Sequence, residues 1–531
     1  MGKRILSFFI AEMVVLTALY FQILNLSGKD SLIGAGQEQN TYTLSAYSMR
    51  AGIYDRNFKK LVNREESFAA AVLPSEVDER FFEYFPTEKA ADLSSLISLG
   101  KPFLYITDKD PSGASGVDVF RFYKRYSEKQ ILSNIIGYTD ASLHGAAGLE
   151  KHFDSFFSEK GSSLKISYSV NAMGSLLEGT ASEVYKEGSD NAGIVLTIDR
   201  DIQEIVEKAG EKIERGAIVV MDPYNGEILA SVSFPTLDIN NLSASLSDEN
   251  SPFLNRAFRS YSPGSVFKLA VAAAALETGM DIETFNCEGE ISLAGTTFKC
   301  HKQEGHGEID LKGAIEGSCN PYFINLGQKI GFSKIREVAE KLGFGTGIDL
   351  GGGFLIDGGF LPSEAEIKTV GDLANLSFGQ GALSISPVQL ASFISAIVNS
   401  GKRPTPQLIK GYTSDDGTRL DEALSFASFT PAFSADVSAR IKELMISAVE
   451  NGTGSPAMPK KGGAGGKTGS AETGQYLENG RQIINALFCG FYPAMKPKYS
   501  IVVLVENGGS GSLSAGPIFK EICDSLSDLE S

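Results

Sequence analysis

A basic surplus is the first thing this sequence lacks: 48 Lys and Arg stand against 65 Asp and Glu, a net charge of −17. A surface that tracks a phosphate backbone needs the opposite balance, so nucleic acid is excluded as a partner. Low-complexity tracts and internal repeats are also missing, and 42% hydrophobic residues give the composition of a globular protein. Cysteine and histidine are scarce, five and four in 531 residues. The length is too great for one ordinary domain and supplies material for two or three cores.

One long apolar run is present, and it lies at the start. Ile5 to Leu26 follows Lys3 and Arg4 and is dominated by Ile, Leu, Phe, Val and Ala. A bilayer crossing takes roughly 20 such residues. The two basic residues before the run favour a cytoplasmic N-terminus. A carboxylate, Glu12, counts against a crossing because it is costly at that depth. A cleaved signal peptide and a buried core helix are the rivals; no small-x-small cleavage site follows and the run is long for a signal, so the expectation is an uncleaved single-pass membrane anchor. The expected organisation is a tip and anchor at 1–26, a polar linker at 27–44, a mixed unit at 45–200 and a larger unit at 201–531. In the last, Ala217–Met221 reads as a strand turning through Asp222-Pro223-Tyr224-Asn225-Gly226 into a second. Ala486–Tyr492 and Tyr499–Val505 read as further strands, and an apolar helix runs from Val266 to Thr278 and stops at Gly279. Asp199 is placed to cap a helix over roughly 200–214. Strands at both ends with helices between predict an α+β fold on an antiparallel sheet.

The chemistry is carried by three short motifs in order: Ser265-x-x-Lys268, Ser318-Cys319-Asn320 and Lys467-Thr468-Gly469. Ser265 falls where a helix begins, a position that favours developing negative charge, and Lys268 shares its helical face. A serine needs a neighbouring base to become a nucleophile, and a lysine serves if burial lowers its pKa. Glycines at 462, 463, 465 and 466, and the small residues after Gly469, let a substrate backbone approach a strand edge. Ser-x-x-Lys alone is common: Ser162 and Lys165 form another, with Ser169-Val170-Asn171 after it. That pair lies on a strand pattern and has no third element.

The ordered triplet resembles the penicillin-binding proteins and class A β-lactamases. Arg50 to Phe58, Gly148-Leu149-Glu150 with Phe153-Asp154, and Asp222-Pro223 through Ala230 are similar to class B penicillin-binding proteins, of an elongation-like type. Ala51 and Phe58 stand where that family has glycine. The resemblance implies a penicillin-binding transpeptidase domain at 201–531 behind a pedestal at 45–200. It also implies a role for each residue. Ser265 attacks a stem peptide ending in D-Ala-D-Ala, Lys268 takes its proton, and Ser318 relays a proton to the leaving group. Asn320 holds the substrate amide, Lys467 and Thr468 bind the terminal carboxylate, Gly469 is a further substrate-binding position, and the N–H groups of Ser265 and Ser470 form the oxyanion hole. β-Lactams would trap Ser265, and a membrane-embedded glycan polymerase is the implied partner. No cofactor is needed for this chemistry. Hydrolysis by a D,D-carboxypeptidase or β-lactamase, and a β-lactam sensor or scaffold, are the other readings. The intact triplet and the lack of a signalling domain speak against the last.

Cys287, Cys300, His306 and Cys319 gather in one short stretch, a donor set suited to tetrahedral zinc and similar to a site in some elongation-type enzymes. A Cys287–Cys300 disulfide and plain thiols are the alternatives. Cys489 and Cys523 read as core residues, and His301 as a surface neighbour.

Overall fold

The computed structural model describes residues 2–27, 40–85, 89–171, 176–177, 181–280, 284–477 and 480–530, so most of the expected linker lies outside the described residues. Gly2–Ser27 is one continuous helix, exposed along its apolar length. Among the described residues it is the one helix long and apolar enough to cross a membrane.

The chain divides into two compact units. The smaller holds two three-stranded antiparallel sheets, one ordered Thr41–Met49, Ser162–Ser169, Glu183–Gly188 and the other Phe103–Thr107, Glu65–Val72, Val117–Lys124. Side chains alternate along Ser162–Ser169, which puts residues three apart on opposite faces. Ser162 is buried against Asp190 while Lys165 is exposed, so the decoy Ser-x-x-Lys pair cannot meet.

The larger unit is built on a five-stranded antiparallel sheet ordered Ile228–Phe234, Gly216–Met221, Tyr499–Val505, Gln482–Tyr492, Gly465–Tyr476. Both faces are covered, as the unbroken apolar character of its inner strands requires. Ala217, Val219, Val502 and Leu504 pack toward the helix Pro387–Val398, and Ile218, Val220, Ile501 and Val503 toward the helices Arg200–Ala209 and Gly516–Leu529. Pro387–Val398 starts from a capping box between Ser386 and Gln389. Asp199 caps Arg200–Ala209 as expected, but that helix ends at Gly210, short of the expected 214.

The units are not consecutive in sequence. Residues 51–62 and 126–157 belong to the larger one, where a single passage near residue 200 was expected. Gly52–Tyr54 pairs in parallel with Gly193–Leu196, in a sheet completed by Ile409–Thr413 and Leu420–Ala423. At Phe58, φ is 61°, the left-handed conformation that glycine adopts without penalty. Phenylalanine holds it at a cost of about 1 kcal/mol.

Two turns cross in front of the edge strand Gly465–Tyr476. Gly264, at φ 51°, donates its N–H to the carbonyl of Gly379, at φ 80°, over 3.1 Å. A Cβ at Gly379 would lie 1.9 Å from the Gly264 oxygen, whereas at Gly381 (φ 84°) the nearest atom would be 3.7 Å away. Gly381→Ala should therefore cost about 1 kcal/mol from backbone conformation alone. Gly379→Ala adds a backbone collision and should cost more than twice that. Thermal midpoints of the two variants measure the difference; equal shifts would mean that the turns do not press on each other.

Candidate active site

Ser265 sits half-buried in the single 3-10 turn Gly264–Val266, directly before the helix Lys268–Thr278. That helix is a core element, buried from Lys268 through Ala275, and Gly279 closes it at φ 69°. The approach to Ser265 is pinned on both sides. Tyr261 exchanges backbone hydrogen bonds with Ile385, and its hydroxyl donates to Glu506, which also accepts from Arg256.

Ser318 ends the helix Leu311–Glu316. Its N–H donates to Ile315 O, and that of Cys319 to Ala314 O, the double bond pattern that closes a helix with one left-handed residue. The left-handed residue is Ser318 itself (φ 50°), although Gly317 precedes it. Asn320 then opens the helix Asn320–Ile330.

Lys268 and Lys467 are both fully buried, and both reach the Ser318 hydroxyl, at 3.3 and 2.8 Å. Lys268 Nζ also donates to Ser318 O and Asn320 Oδ1, each at 2.7 Å. Those two oxygens can only accept, so they occupy two N–H groups whether the amine is charged or neutral. The remaining position is an N–H in the ammonium and a lone pair in the free amine. Burial brings the Lys268 pKa down to about 7, with charge on Cys319 and Cys300 acting the other way. Burial, and then the charge of Lys268, push Lys467 well below its usual range. Among the described residues, neither lysine is ion-paired with a carboxylate, and Ser265 Oγ has no hydrogen bond. The expected contact of Lys268 with Ser265 is thus not made in this state; the amine faces Ser318 and Asn320.

Lys467, Thr468, Gly469 and Ser470 lie on the edge strand, with Ser470 exposed. A Cβ at Gly469 would meet Pro263 O at 3.0 Å and Val266 at 3.1 Å, so this glycine admits the Ser265 turn. Gly465 and Gly466 answer a different need from the expected one. Their missing side chains make room for the rings of Phe491 and Phe488, which would stand 2.1 and 2.4 Å from an added Cβ. Two hollows of about 670 and 410 Å³ lie elsewhere, bounded by residues such as Glu207 and Leu237, and Glu277 and Phe433. The triplet instead lines an edge.

Cys287, Cys300, His306 and Cys319 offer ligand atoms that all lie within 4.8 Å of one another. The thiols are buried, and all five cysteines of the chain are free, so the disulfide alternative is not formed. Zinc–sulfur bonds of about 2.3 Å in a tetrahedron need ligand atoms roughly 4 Å apart, which this cluster approaches without rearrangement. Hydrogen bonding with Cys319 holds the Cys300 thiol below its ordinary range, and the Cys319 thiol is raised by the same bond. Burial lowers the His306 pKa, which favours the neutral imidazole a metal requires. His301 is exposed, while Cys489 and Cys523 are buried in the two faces of the sheet. Sequence reasoning missed the Gly379 turn and Thr453, which lies 3.1 Å from Thr468 Oγ1. Glycine spacing, at Gly379-Gln380-Gly381 and Gly452-Thr453-Gly454, was the available signal.

Residues 216–524, more than half of the chain, match the family described as the penicillin binding protein transpeptidase domain. Stage V sporulation protein D of Bacillus subtilis is 29% identical over 527 residues, an alignment covering 90% of this chain and 78% of that protein. The peptidoglycan D,D-transpeptidase MrdA of Salmonella typhimurium is 31% identical over 378 residues, covering 63% of this chain and 59% of MrdA. A chain from a structure on the coordination of polymerization and crosslinking by a peptidoglycan synthase complex shares the fold, with TM-score 0.69, 24% identity and 97% of each chain covered.

Proposed function

The chain belongs to the penicillin-binding protein transpeptidase family, and we propose that it is a class B peptidoglycan D,D-transpeptidase acting through an acyl-enzyme on Ser265. The observation that carries this reading is the meeting of two buried lysines on the Ser318 hydroxyl, with the Ser265 turn packed against the same edge strand. Ser265 Oγ attacks the carbonyl of the penultimate D-Ala of a donor stem, and Lys268, as free amine, receives the hydroxyl proton. Catalytic hydrogen bonds of this kind tighten once substrate is bound. Ser318 passes a proton from the lysines to the leaving D-Ala. The Ser265 and Ser470 N–H groups hold the oxyanion, a contribution of about 3 to 4 kcal/mol per donor. Asn320 binds the substrate amide, and Lys467 with Thr468 receives the terminal carboxylate, the donor lying along the strand at Gly469. An acceptor amine then attacks the ester, cross-linking two stems and restoring Ser265.

The helix Gly2–Ser27 is the membrane anchor, with Lys3 and Arg4 on the cytoplasmic side and the catalytic unit outside. The smaller unit, which holds residues 63–125 and 158–190, forms the pedestal, and a membrane-embedded glycan polymerase is the partner that supplies strands to cross-link. Cys287, Cys300, His306 and Cys319 are the residues that would hold a structural zinc. A closed tetrahedral ion of this type contributes folding energy and takes no part in acyl transfer. Because Cys319 lies between Ser318 and Asn320, its ligation would brace the wall that faces Lys268.

A fluorescent penicillin should label the wild type and Ser162→Ala equally and leave Ser265→Ala unlabelled; labelling of Ser265→Ala at the wild-type level rejects the nucleophile. With a base titrating at about 7, the free-amine fraction grows as pH rises. Acylation should therefore speed up roughly tenfold from pH 6 to 8 and level off above. A rate independent of pH over that range would remove Lys268 as the base. Elemental analysis should find one zinc per chain, and stripping it with a chelator should lower the thermal midpoint. Metal-free protein with full stability and full labelling would dismiss the zinc site.

A further inference from the structure

Thr453 touches three segments that meet at the edge strand. It follows the helix Ala435–Asn451 and is half-buried between two glycines. Its N–H donates to Glu316 O over 3.0 Å, two residues before Ser318. Its carbonyl accepts from Ser512 Oγ at 2.8 Å, and its hydroxyl lies 3.1 Å from that of Thr468. The loop is pressed tightly onto the Leu311–Glu316 helix: a Cβ at Gly452 would stand 2.5 Å from Glu316 O, and Ser447 Oγ donates to the Glu316 carboxylate.

A threonine hydroxyl carries one proton and two lone pairs. If Thr468 spent its proton on Thr453, it would present only lone pairs to an incoming carboxylate, and the two would repel. If Thr453 donates, Thr468 accepts and its own proton is free to point outward. The chemistry of an anionic ligand selects the second polarity. Resting on the reading that Thr468 receives a carboxylate, we propose that Thr453 is a positioning residue: it donates to Thr468 Oγ1, aims the Thr468 proton at the ligand carboxylate, and ties that strand to the Ser318 turn through Glu316.

The test uses the full chain and two probes, a penicillin with its carboxylate free and the same penicillin as its methyl ester. The ratio of their acylation rate constants at Ser265 measures carboxylate recognition, and partial loss of folded protein cancels within each ratio. Thr453→Val should lower the ratio roughly 3- to 10-fold, the worth of one hydrogen bond. The ester rate should stay near wild type, and Thr453→Ser should restore the ratio. Thr468→Val should lower the ratio by itself, and the double variant should fall no further, since both changes disable one hydroxyl. An unchanged ratio in Thr453→Val, or acid and ester rates falling together, overturns the proposal. Should the valine variant not fold, Thr453→Ala gives the same ratio and is judged by the same criterion. A wild type that is never acylated at Ser265 would instead overturn the reading beneath it, and this proposal with it.

Discussion

Two lysine side chains end on one hydroxyl, and neither reaches solvent. Taking an ammonium group out of water is expensive unless a carboxylate answers it, and among the described residues none pairs with Lys268 or Lys467. The protein meets the problem by letting protons go: burial lowers both pKa values, and the charge of Lys268 lowers that of Lys467 further. An aspartate beside Lys268 would relieve the burial cost and would also lock the amine in its charged form, without a lone pair. The missing counter-ion is therefore a condition of the site. It leaves one lysine able to act as a base and leaves the pair short of negative charge, which an entering carboxylate supplies.

That constraint reaches into the backbone. Ser318 occupies the left-handed position at a helix end, where glycine is the usual residue, and Gly317 stands one place too early to fill it. The strain costs about 1 to 2 kcal/mol and is retained because a hydroxyl has to stand between the lysines. The following residue, Cys319, is fixed by its bond to Ala314 and by the helix that starts directly after it, and its thiol belongs to the Cys3His cluster. Asn320 is gripped at both ends of its amide, by Lys268 on one side and Lys299 O on the other. Three consecutive residues thus have little conformational freedom left.

Much of this could be read from residue order. The hairpin at Asp222–Gly226, the helix stopping at Gly279, the antiparallel sheet and the Cys3His grouping all follow from local patterns that the structure reproduces. So does the exclusion of Ser162 and Lys165, because strand period separates what helix period would bring together. What could not be read depends on partners distant in sequence. Gly465 and Gly466 were assigned to substrate approach, whereas Phe491 and Phe488 from the neighbouring strand explain them. A glycine announces that something comes close, without saying what. The return of residues 51–62 and 126–157 to the larger unit has the same origin, since the pairing of Gly52–Tyr54 with Gly193–Leu196 spans about 140 positions.

Thr453 illustrates the harder case. A threonine between glycines has no chemistry of its own in sequence, and no spacing rule connects it to Lys467-Thr468-Gly469. Its meaning comes from the polarity of a hydrogen bond, which depends on what the partner hydroxyl must do next. The same logic governs Lys268, whose two acceptor-only partners leave a single direction for a lone pair. In both places the fold directs a proton by using up the alternatives. Motifs name the atoms that react, while surrounding oxygens and amides decide which way each of them points, and those surroundings are assembled only when the chain closes.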